Sequence, residues 1–428
     1  MSELSPRPDE AQPQGSSELR LRERGRASAK LPGIARHGRL KKSSPLGVIF
    51  GFVAASLAVL LVSGATLGAL AVNALNSNLQ ANTVTLIGET DGPPPSIGAY
   101  EGGFNILIVG SDTRAGQNGI GGDAEEESGT LNDVNILLHV SQDQTNAVAV
   151  SFPRDLVVGI PECPDEEGDT KGYSTEPINV SLYYGGLACV VLTVSELTGL
   201  PIQFAGLITF TGVINMSDAI GGVPVCVTGP IYDDGITIGA AGTYNLSGQA
   251  ALGFLRTRSG VGDGSDLTRI SSQQVYLSAL VRQLKSSDTL GDPAKVYALA
   301  KTASNNLQLS SSLADIPTMM SIALALKDIP LERVTFVQYP GRTGGDGIYA
   351  GKVRPDRAAG DQLMAYIAAD QPFLLPQAGD GRGSTIDPNA PAPEVDPDAP
   401  VVDNTGLPTL EGVTGQTAAN YTCSIANE

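Results

Sequence analysis

The sequence predicts an α/β protein in which helices flank a central mixed β-sheet and one transmembrane helix precedes the folded domain. Between residues 104 and 371, short apolar runs alternate with longer segments of helical periodicity, a pattern typical of α/β proteins. Two short runs are separated only by residues 141–145, so they form an antiparallel hairpin and the sheet is mixed. Residues 46–72 contain no charged side chain, which predicts the preceding helix.

The N-terminal part of the chain divides into a basic arm and this apolar segment. Residues 1–45 are rich in Arg, Ser and Pro, and we expect them to be disordered. As a helix, residues 46–72 would span roughly 40 Å, more than the ~30 Å hydrocarbon core. We expect a retained single-pass anchor in the cell membrane, because a cleaved signal peptide would have a shorter apolar region nearer the N-terminus. The basic flank predicts a cytoplasmic N-terminus and an extracellular remainder.

Charge and cysteine content limit the partners of the extracellular part. Residues 1–46 carry ten Lys/Arg and five Asp/Glu, a net charge of +5. Because the whole chain has a net charge of −18, the remainder carries −23. This excludes general nucleic-acid binding, while the basic arm suits anionic lipid headgroups. No Cys-x-x-Cys pair occurs, so disulfides are expected rather than zinc. We pair Cys163 with Cys189, a bond that stabilises by about 3 kcal/mol in the chain-entropy model, and Cys226 with Cys423 by elimination.

The elements of the domain follow from local patterns. Residues 105–109, 134–140 and 146–152 are short apolar runs and are predicted strands. Gly185-Gly186 precedes a predicted helix at 187–197, and the apolar spacing within 267–285 predicts a long helix facing the core. The other expected elements are strands at 202–208, 224–227 and 333–338, and helices at 210–220, 293–303 and 314–326. We expect a linker at 73–103, one compact domain at 104–371, and a Pro/Asp-rich disordered tail at 372–428.

Acidic and basic residues collect at one end of the predicted sheet. In the hairpin, the start of one strand lies beside the end of the next, so Asp133 and Arg154 share an end. If the strand at 105–109 runs parallel to the third strand, Asp112 and Arg114 emerge there as well. Open α/β sheets bind ligands at such strand ends.

A second set of arginines lies in residues 250–273, AALGFLRTRSGVGDGSDLTRISSQ. Arg256 and Arg258 would share a face if the chain there is extended. Asp266 is the expected N-cap of the helix that carries Arg269 and Gln273. Guanidinium forks and the free N–H groups of a helix start suit a phosphate or pyrophosphate. The alternative is that these are surface arginines paired with neighbouring acids.

Asp112 and Asp133 are candidate Mg²⁺ ligands. Close carboxylates destabilise each other unless a cation lies between them, and Mg²⁺ usually takes one or two carboxylates together with substrate phosphates. The structural alternatives are a turn-forming Asp112 and a strand-edge Asp133. In the part of the chain that follows the membrane segment, His139 is the only histidine, and we expect it in the core. No Ser-His-Asp triad can be built there without it. Phosphate-loop, GxGxxG and GxSxG motifs are absent from the sequence.

Six segments, taken in order, resemble the LytR-CpsA-Psr family. They are NILIVGSDTR (105–114), NDVNILLHVS (132–141), AVSFPRDL (149–156), INVSLYYGG (178–186), DAIGGVPV (218–225) and LSGQAALGFLRTR…DLTRISSQQ (246–274). Two departures stand out, since Leu131 and Pro177 occupy positions where the family commonly has a basic residue. The loop 115–130 is also long, Gly-rich and acidic.

The resemblance implies the family's α/β/α fold and a membrane-anchored phosphotransferase that moves a glycopolymer from a polyprenyl-pyrophosphate carrier to peptidoglycan. Asp112 and Asp133 would hold Mg²⁺, and the polyprenyl tail would lie in an apolar pocket. The implied catalytic residues are these two acids with Arg154, Arg256 and Arg258. The implied pyrophosphate site contains Arg114, Arg154, Arg256, Arg258, Asp266, Arg269 and Gln273.

A wall-sugar hydroxyl would attack the glycan-linked phosphorus and polyprenyl phosphate would leave, a reaction that needs mainly positioning and charge neutralisation. Asp155 and Asp266 are candidates for a general base. Two alternatives remain open: a polyprenyl-pyrophosphate phosphatase that uses water at the same site, and a wall-binding or regulatory protein without catalysis.

Overall fold

A computed structural model describes residues 45–81, 83–89, 95–114, 117, 120, 130–164, 170–233, 235–285, 299, 301–303, 305–390 and 404–427. The chain divides into two units, residues 1–65 and 66–428. Helix α1 (Pro45–Ala81) has 37 residues and continues past the predicted segment into residues that we had assigned to a linker. In the first unit, ten large apolar side chains of α1 are 57–78% exposed.

The second unit contains the folded domain, and the described strands and helices are numbered in chain order. The strands are β1 (Thr83–Val84), β2 (Phe104–Ser111), β3 (Asn132–Val140), β4 (Ala147–Phe152), β5 (Val157–Ile160), β6 (Cys163–Pro164), β7 (Thr170–Lys171), β8 (Ser174–Pro177), β9 (Phe204–Ile208), β10 (Val223–Val227), β11 (Ile231–Asp233), β12 (Ile236–Ile238), β13 (Gly242–Leu246), β14 (Leu307–Ser310), β15 (Val334–Gln338), β16 (Gly341–Thr343), β17 (Val353–Pro355), β18 (Ser384–Ile386), β19 (Gly415–Thr417) and β20 (Thr422–Ser424). The helices after α1 are α2 (Ser181–Thr198), α3 (Phe210–Ile220), α4 (Gly248–Arg256), α5 (Asp266–Lys285), α6 (Ile316–Asp328) and α7 (Arg357–Ala368).

Eight strands form one mixed sheet in the order β1-β14-β9-β2-β3-β4-β15-β19. Strand β3 is antiparallel to both β2 and β4, whereas β2 pairs with β9 and β4 pairs with β15 in parallel. The predicted hairpin and the mixed sheet are therefore confirmed. Because β2 and β4 run the same way, their carboxyl ends and the amino end of β3 lie at one end of the sheet.

Helices cover both faces of this sheet. Along β2, Leu107 and Val109 pack in a core that also contains residues of α2 and α7. The alternate residues Phe104 and Ile106 pack in a second core with residues of α5 and α6. This alternation follows from the two-residue period of a strand, and it gives the expected α/β/α layers.

The helix predicted at 187–197 is the regular part of α2. Helical hydrogen bonding continues back to Ser181, but the backbone breaks at Gly185 and Gly186, where Gly186 has φ +60°. A left-handed φ costs glycine little, so the glycine pair turns the chain into the helix as the sequence suggested. The segment Ile178–Thr198 is the one described stretch long and apolar enough to cross a membrane, and it is mostly buried in the domain. A shorter apolar stretch, Ile49–Gly64, lies within α1.

The C-terminal part differs from the predicted disordered tail. Residues 372–390 and 404–427 belong to the folded domain, because β19 pairs with β15 at the edge of the main sheet and β20 pairs with β10. Residues 391–403 and most of the helix expected at 293–303 lie outside the described residues. The expected linker also folds in part, since β1 pairs with β14 and Leu86 is 5% exposed.

Two disulfides are present, Cys163–Cys189 and Cys226–Cys423, and both predicted pairings are confirmed. The second bond joins β10 to β20 across 197 residues of sequence. It therefore fixes the C-terminal segment to the domain, which explains why a stretch of low-complexity composition leads into ordered strands.

Candidate active site

Three strand ends bring Asp112, Asp133 and Arg154 to the same end of the sheet, as the sequence predicted. Asp112 follows β2, Asp133 is the second residue of β3, and Arg154 follows β4. Nη1 of Arg154 donates to both carboxylate oxygens of Asp133, at 2.8 and 2.9 Å. Both side chains are about one-fifth exposed, so the ion pair remains partly accessible to solvent.

Asp266 ties the start of α5 to the end of β4. Its Oδ2 accepts a hydrogen bond from the backbone N–H of Arg154 at 2.9 Å, and its Oδ1 lies 2.8 Å from Nη2 of Arg269. Asp266 is therefore inside the first turn of α5 rather than its N-cap. The capping contact comes from Ser265, whose Oγ accepts from the N–H of Thr268 at 3.4 Å. The carboxylate instead contacts Arg269, one turn later in α5, and the backbone of Arg154 beyond β4.

Arg269 and Gln273 are buried supports on α5. Besides Asp266, Nη2 of Arg269 donates to the carbonyl oxygen of Asp133 at 2.8 Å, and only about 5% of this side chain is exposed. Gln273 donates from Nε2 to the carbonyl oxygen of Leu255 at 2.8 Å, near the end of α4. The i and i+4 spacing places both side chains on one face of α5, from which they contact Asp133 and the end of α4.

Arg258 joins the charge cluster, whereas Arg256 lies apart from it. Arg256 is the last residue of α4, and Thr257 between the two arginines has φ −57° and ψ 137°, outside the helical region. The exposed Arg256 guanidinium lies over the ring of Phe210, with Cζ 4.3 Å from the centroid. Nη2 of Arg258 lies 3.9 Å from Oδ2 of Asp155, and its backbone N–H donates to Oδ2 of Asp233 at 2.8 Å.

Asp155 is the centre of an ion-pair network whose extent the sequence did not reveal. Its Oδ1 lies 2.9 Å from Nζ of Lys352, and its Oδ2 lies 3.7 Å from Nε of Arg154 and 3.9 Å from Nη2 of Arg258. Lys352 immediately precedes β17 and is 38% exposed. Nothing in the sequence singles out this lysine, because the β16–β17 hairpin that delivers it is remote from every site motif.

Asp112 has the properties of a metal ligand. Burial raises the pKa of its carboxyl, and the charge of Asp133 raises it further. A hydrogen bond from the N–H of Leu131, at 2.7 Å, and the charges of Arg154 and Arg114 lower the pKa but do not cancel the rise. A divalent cation would relieve both burial and repulsion. Asp133 keeps lone pairs beyond those that Arg154 uses, so both acids have oxygen atoms that could coordinate such an ion.

The arginines of the cluster are incompletely satisfied by the protein. Among the described residues, the buried Nε atoms of Arg154, Arg258 and Arg269 have no hydrogen-bond partner. Burial lowers the pKa of Arg258, and the neighbouring charges of Arg154 and Arg269 lower it further, despite Asp266 and Asp155. Crowded guanidinium groups with unused donors favour an anionic ligand with several oxygens. Phosphate and pyrophosphate meet that requirement.

The sequence and the fold have counterparts among known proteins. The LytR_cpsA_psr family model matches residues 70–360. The cell wall biosynthesis protein LcpA of Corynebacterium glutamicum is 31% identical over 318 residues, which are 67% of this chain and 58% of LcpA. The probable cell wall biosynthesis protein LcpB of the same organism is 31% identical over 51% of this chain and 50% of its own length. The chain therefore spans little more than half the length of these two relatives.

A third relative is matched over most of its length. The polyisoprenyl-teichoic acid–peptidoglycan teichoic acid transferase TagT of Bacillus subtilis is 28% identical over 71% of this chain and 90% of TagT. Among solved structures, the LytR-Csp2A-Psr enzyme from Actinomyces oris superposes with a TM-score of 0.50 at 20% identity, over 67% of this chain and 95% of that protein. The structural match supports the fold.

Proposed function

Because this chain belongs to the LytR-CpsA-Psr family, we propose that it is a phosphotransferase that moves a cell-wall glycopolymer from a polyprenyl-pyrophosphate carrier to peptidoglycan. The names of LcpA and TagT assign those relatives to wall biosynthesis and to teichoic acid transfer. The observation that carries the proposal is the group of buried arginine Nε atoms that have no hydrogen-bond partner among the described residues, beside two carboxylates at one end of the sheet.

In this proposal, Arg154 and Arg258 bind the pyrophosphate oxygens, with Arg114 and Arg256 at the edges of the site and the buried Arg269 supporting it. The planar fork of arginine matches phosphate oxygens and neutralises the charge that develops during phosphoryl transfer. Asp112 and Asp133 would hold Mg²⁺, which would supply further charge neutralisation at the phosphates. Gln273 acts indirectly, through its hydrogen bond to the end of α4.

The reaction forms one phosphorus–oxygen bond to a wall-sugar hydroxyl and breaks the bond to the bridging oxygen. Polyprenyl phosphate leaves and a proton is released. Asp155 and Asp266 are poorly suited to take that proton, because Asp155 faces three cations and Asp266 holds Arg269 and the backbone of Arg154. Phosphoryl transfer depends mainly on positioning and electrostatics, so the site does not require either as a base.

One exposed apolar side chain of the sheet supports a polyprenyl donor. Ile108 is 39% exposed although β2 is an interior strand of the sheet. Its neighbours across the two adjacent strands are Ile136 and Gly206. Gly206 has no side chain to cover Ile108, so an apolar surface opens four residues before Asp112. Burying it under an isoprenoid chain would be favourable.

The exposed apolar side chains of α1 support a membrane anchor, with the basic N-terminus in the cytoplasm and the domain outside. An anchored enzyme and a lipid-linked donor share one surface. The anchor therefore raises the effective concentration of the donor at the enzyme.

The proposal is tested with the full-length protein in lipid nanodiscs, a polyprenyl-pyrophosphate-linked oligosaccharide and Mg²⁺, with and without peptidoglycan. We expect polyprenyl phosphate release that requires peptidoglycan, together with glycan phosphate in the peptidoglycan fraction. Release of glycan phosphate without an acceptor would assign a phosphatase instead. No turnover in either mixture, with the protein folded, would reject an enzymatic role.

Mg²⁺ dependence provides a separate prediction. Protons compete with the cation for Asp112. Because the pKa of this carboxyl is raised, the competition begins at a higher pH than for an ordinary aspartate. As pH falls below that pKa, the apparent Mg²⁺ affinity should weaken by about tenfold per unit. We expect EDTA to stop transfer and Mg²⁺ to restore it, with the affinity measured from transfer rates across a pH series. Asp112→Asn should weaken Mg²⁺ binding and flatten its pH dependence. Full activity in EDTA would contradict a metal role.

A further inference from the structure

The hairpin of β16 and β17 brings a lysine to the charge cluster, and the proposed reaction does not use it. Lys352 immediately precedes β17, and its Nζ lies 2.9 Å from Oδ1 of Asp155. This distance is typical of a charge-assisted hydrogen bond. The Lys352 side chain is 38% exposed and that of Asp155 is 13% exposed, so the pair is partly buried. Among the described residues, Lys352 is the cation nearest to this carboxylate.

Backbone contacts fix the position from which Lys352 reaches Asp155. The N–H of Val353 donates to the carbonyl oxygen of Asp155 at 2.9 Å, and Val353 forms a parallel bridge with Leu156. Val353 and Leu156 are both buried in the core. Across the hairpin, a Cβ at Gly341 would lie 2.8 Å from Cγ1 of Val353, so only glycine allows this close approach. The main chain and the core therefore hold the hairpin, and replacing the lysine side chain should leave it in place.

Arg154 and Arg258 contact the same carboxylate at longer range. Oδ2 of Asp155 lies 3.7 Å from Nε of Arg154 and 3.9 Å from Nη2 of Arg258, beyond hydrogen-bond distance. The buried Nε atoms of both arginines have no hydrogen-bond partner among the described residues. At these two contacts Asp155 thus acts on the guanidinium groups through its charge, without accepting a hydrogen bond from either.

The charge of Asp155 offsets repulsion between the arginines. Burial lowers the pKa of Arg258, the charges of Arg154 and Arg269 lower it further, and those of Asp266 and Asp155 raise it. A carboxylate that closed onto the arginines would offset the repulsion more strongly. It would also occupy N–H donors that a phosphate needs, because carboxylates and phosphates bind the same planar fork. A cation bound to the other carboxylate oxygen opposes that closure.

We propose that Lys352 is a positioning residue of the phosphate site, which holds Asp155 away from Arg154 and Arg258 and so leaves their donors to the pyrophosphate. The inference rests on the proposed function, since it takes pyrophosphate as the ligand of these arginines. The competing role for Lys352 is a direct contact with the phosphates. The geometry favours positioning, because Nζ is already bound to a carboxylate that neither arginine holds by a hydrogen bond.

A double-mutant cycle in the full-length protein, in lipid nanodiscs with the lipid-linked donor, Mg²⁺ and peptidoglycan, separates the two roles. We expect Lys352→Gln to raise the KM of the donor about threefold to tenfold, because partly exposed ion pairs contribute modestly. The kcat should change by less than about twofold, since the arginines must be freed before the donor binds. In the Asp155→Asn background, Lys352→Gln should change KM by less than about twofold. Lys352→Arg should keep the wild-type KM.

Arg354→Gln is the matched control. It removes a positive charge from an exposed side chain of β17, and this guanidinium lies over the ring of Tyr349. The KM should stay at the wild-type value. An increase equal to that of Lys352→Gln would assign the effect to overall charge and overturn the inference. An increase in Lys352→Gln that persists in the Asp155→Asn background would show that the lysine contacts the phosphates itself.

Two further measurements do not depend on turnover. Inorganic pyrophosphate binding, measured by calorimetry, should weaken in Lys352→Gln by the same factor as KM, and only where Asp155 is present. If the wild-type protein transfers no glycan phosphate but shows this pattern, the proposed function fails and the positioning role stands. A crystal structure of full-length Lys352→Gln should place Asp155 within hydrogen-bond distance of Arg154 or Arg258. An unmoved Asp155 with unchanged pyrophosphate affinity, at an unchanged melting temperature, would reject the positioning role.

Discussion

Replacing Arg154 with lysine is expected to lower the rate of glycopolymer transfer by about a hundredfold to a thousandfold, the range seen when one transition-state donor is removed. Arg154 donates twice to Asp133 and lies between Asp155 and Asp266. Lysine keeps the positive charge but has no planar fork, so it cannot hold Asp133 and present further donors to a phosphate at once. Release of polyprenyl phosphate at saturating donor measures the effect.

The matched control is Arg282→Lys on α5, remote from the site. The Arg282 guanidinium packs on an aromatic ring, with Cζ 4.4 Å from the centroid of Tyr421. Its Nη1 donates to the carbonyl oxygens of Ala418 and Asn420. Its replacement should lower the melting temperature while leaving the rate per folded molecule unchanged. If Arg154→Lys loses activity only in proportion to unfolded protein, Arg154 supports the fold and not the reaction.

The sheet and the first part of the site were predictable because their signals are local. Alternating and continuous apolar runs identify β2, β3 and β4, and the short loop between β3 and β4 sets their directions. Those directions place Asp133 and Arg154 at one end of the sheet, and Asp112 joins them on the stated condition that β2 runs parallel to β4, which the structure meets. The positions of these three residues can be predicted from the sequence because each lies next to the strand that positions it.

Other parts of the site depend on contacts between side chains that are distant in the sequence, and residue spacing does not predict such contacts. The separation of Arg256 from Arg258 follows from the length of α4, which ends at Arg256 and turns that guanidinium towards Phe210. Lys352 reaches Asp155 from a hairpin about two hundred residues later in the chain. The composition of residues 372–428 as a whole predicts disorder, but the predicted bond between Cys226 and Cys423 already requires that the end of the chain lie against the domain.

That C-terminal end holds the loop carrying Arg258. The backbone N–H of Gly262 donates to the carbonyl oxygen of Ile425 at 2.9 Å, and the N–H of Asn427 donates to Gly260 at 3.0 Å. Nδ2 of Asn427 also donates to the carbonyl oxygen of Ser259 at 2.8 Å. The disulfide Cys226–Cys423 lies a few residues before these contacts, so it keeps the segment against the arginine loop.

Replacing Cys226 and Cys423 together by serine is therefore expected to affect both stability and transfer. In the chain-entropy model, a loop of 197 residues contributes about 5 kcal/mol to the free energy of unfolding, against about 3.5 kcal/mol for the 26-residue loop of Cys163–Cys189. Denaturant unfolding of the two double-serine variants measures that difference. Under conditions where both remain folded, the Cys226/Cys423 variant should also have a lower kcat, because its C-terminal strand no longer restrains the Arg258 loop. The Cys163/Cys189 variant should retain the wild-type kcat, and equal kcat values in the two variants would contradict a positioning role for the C-terminal segment.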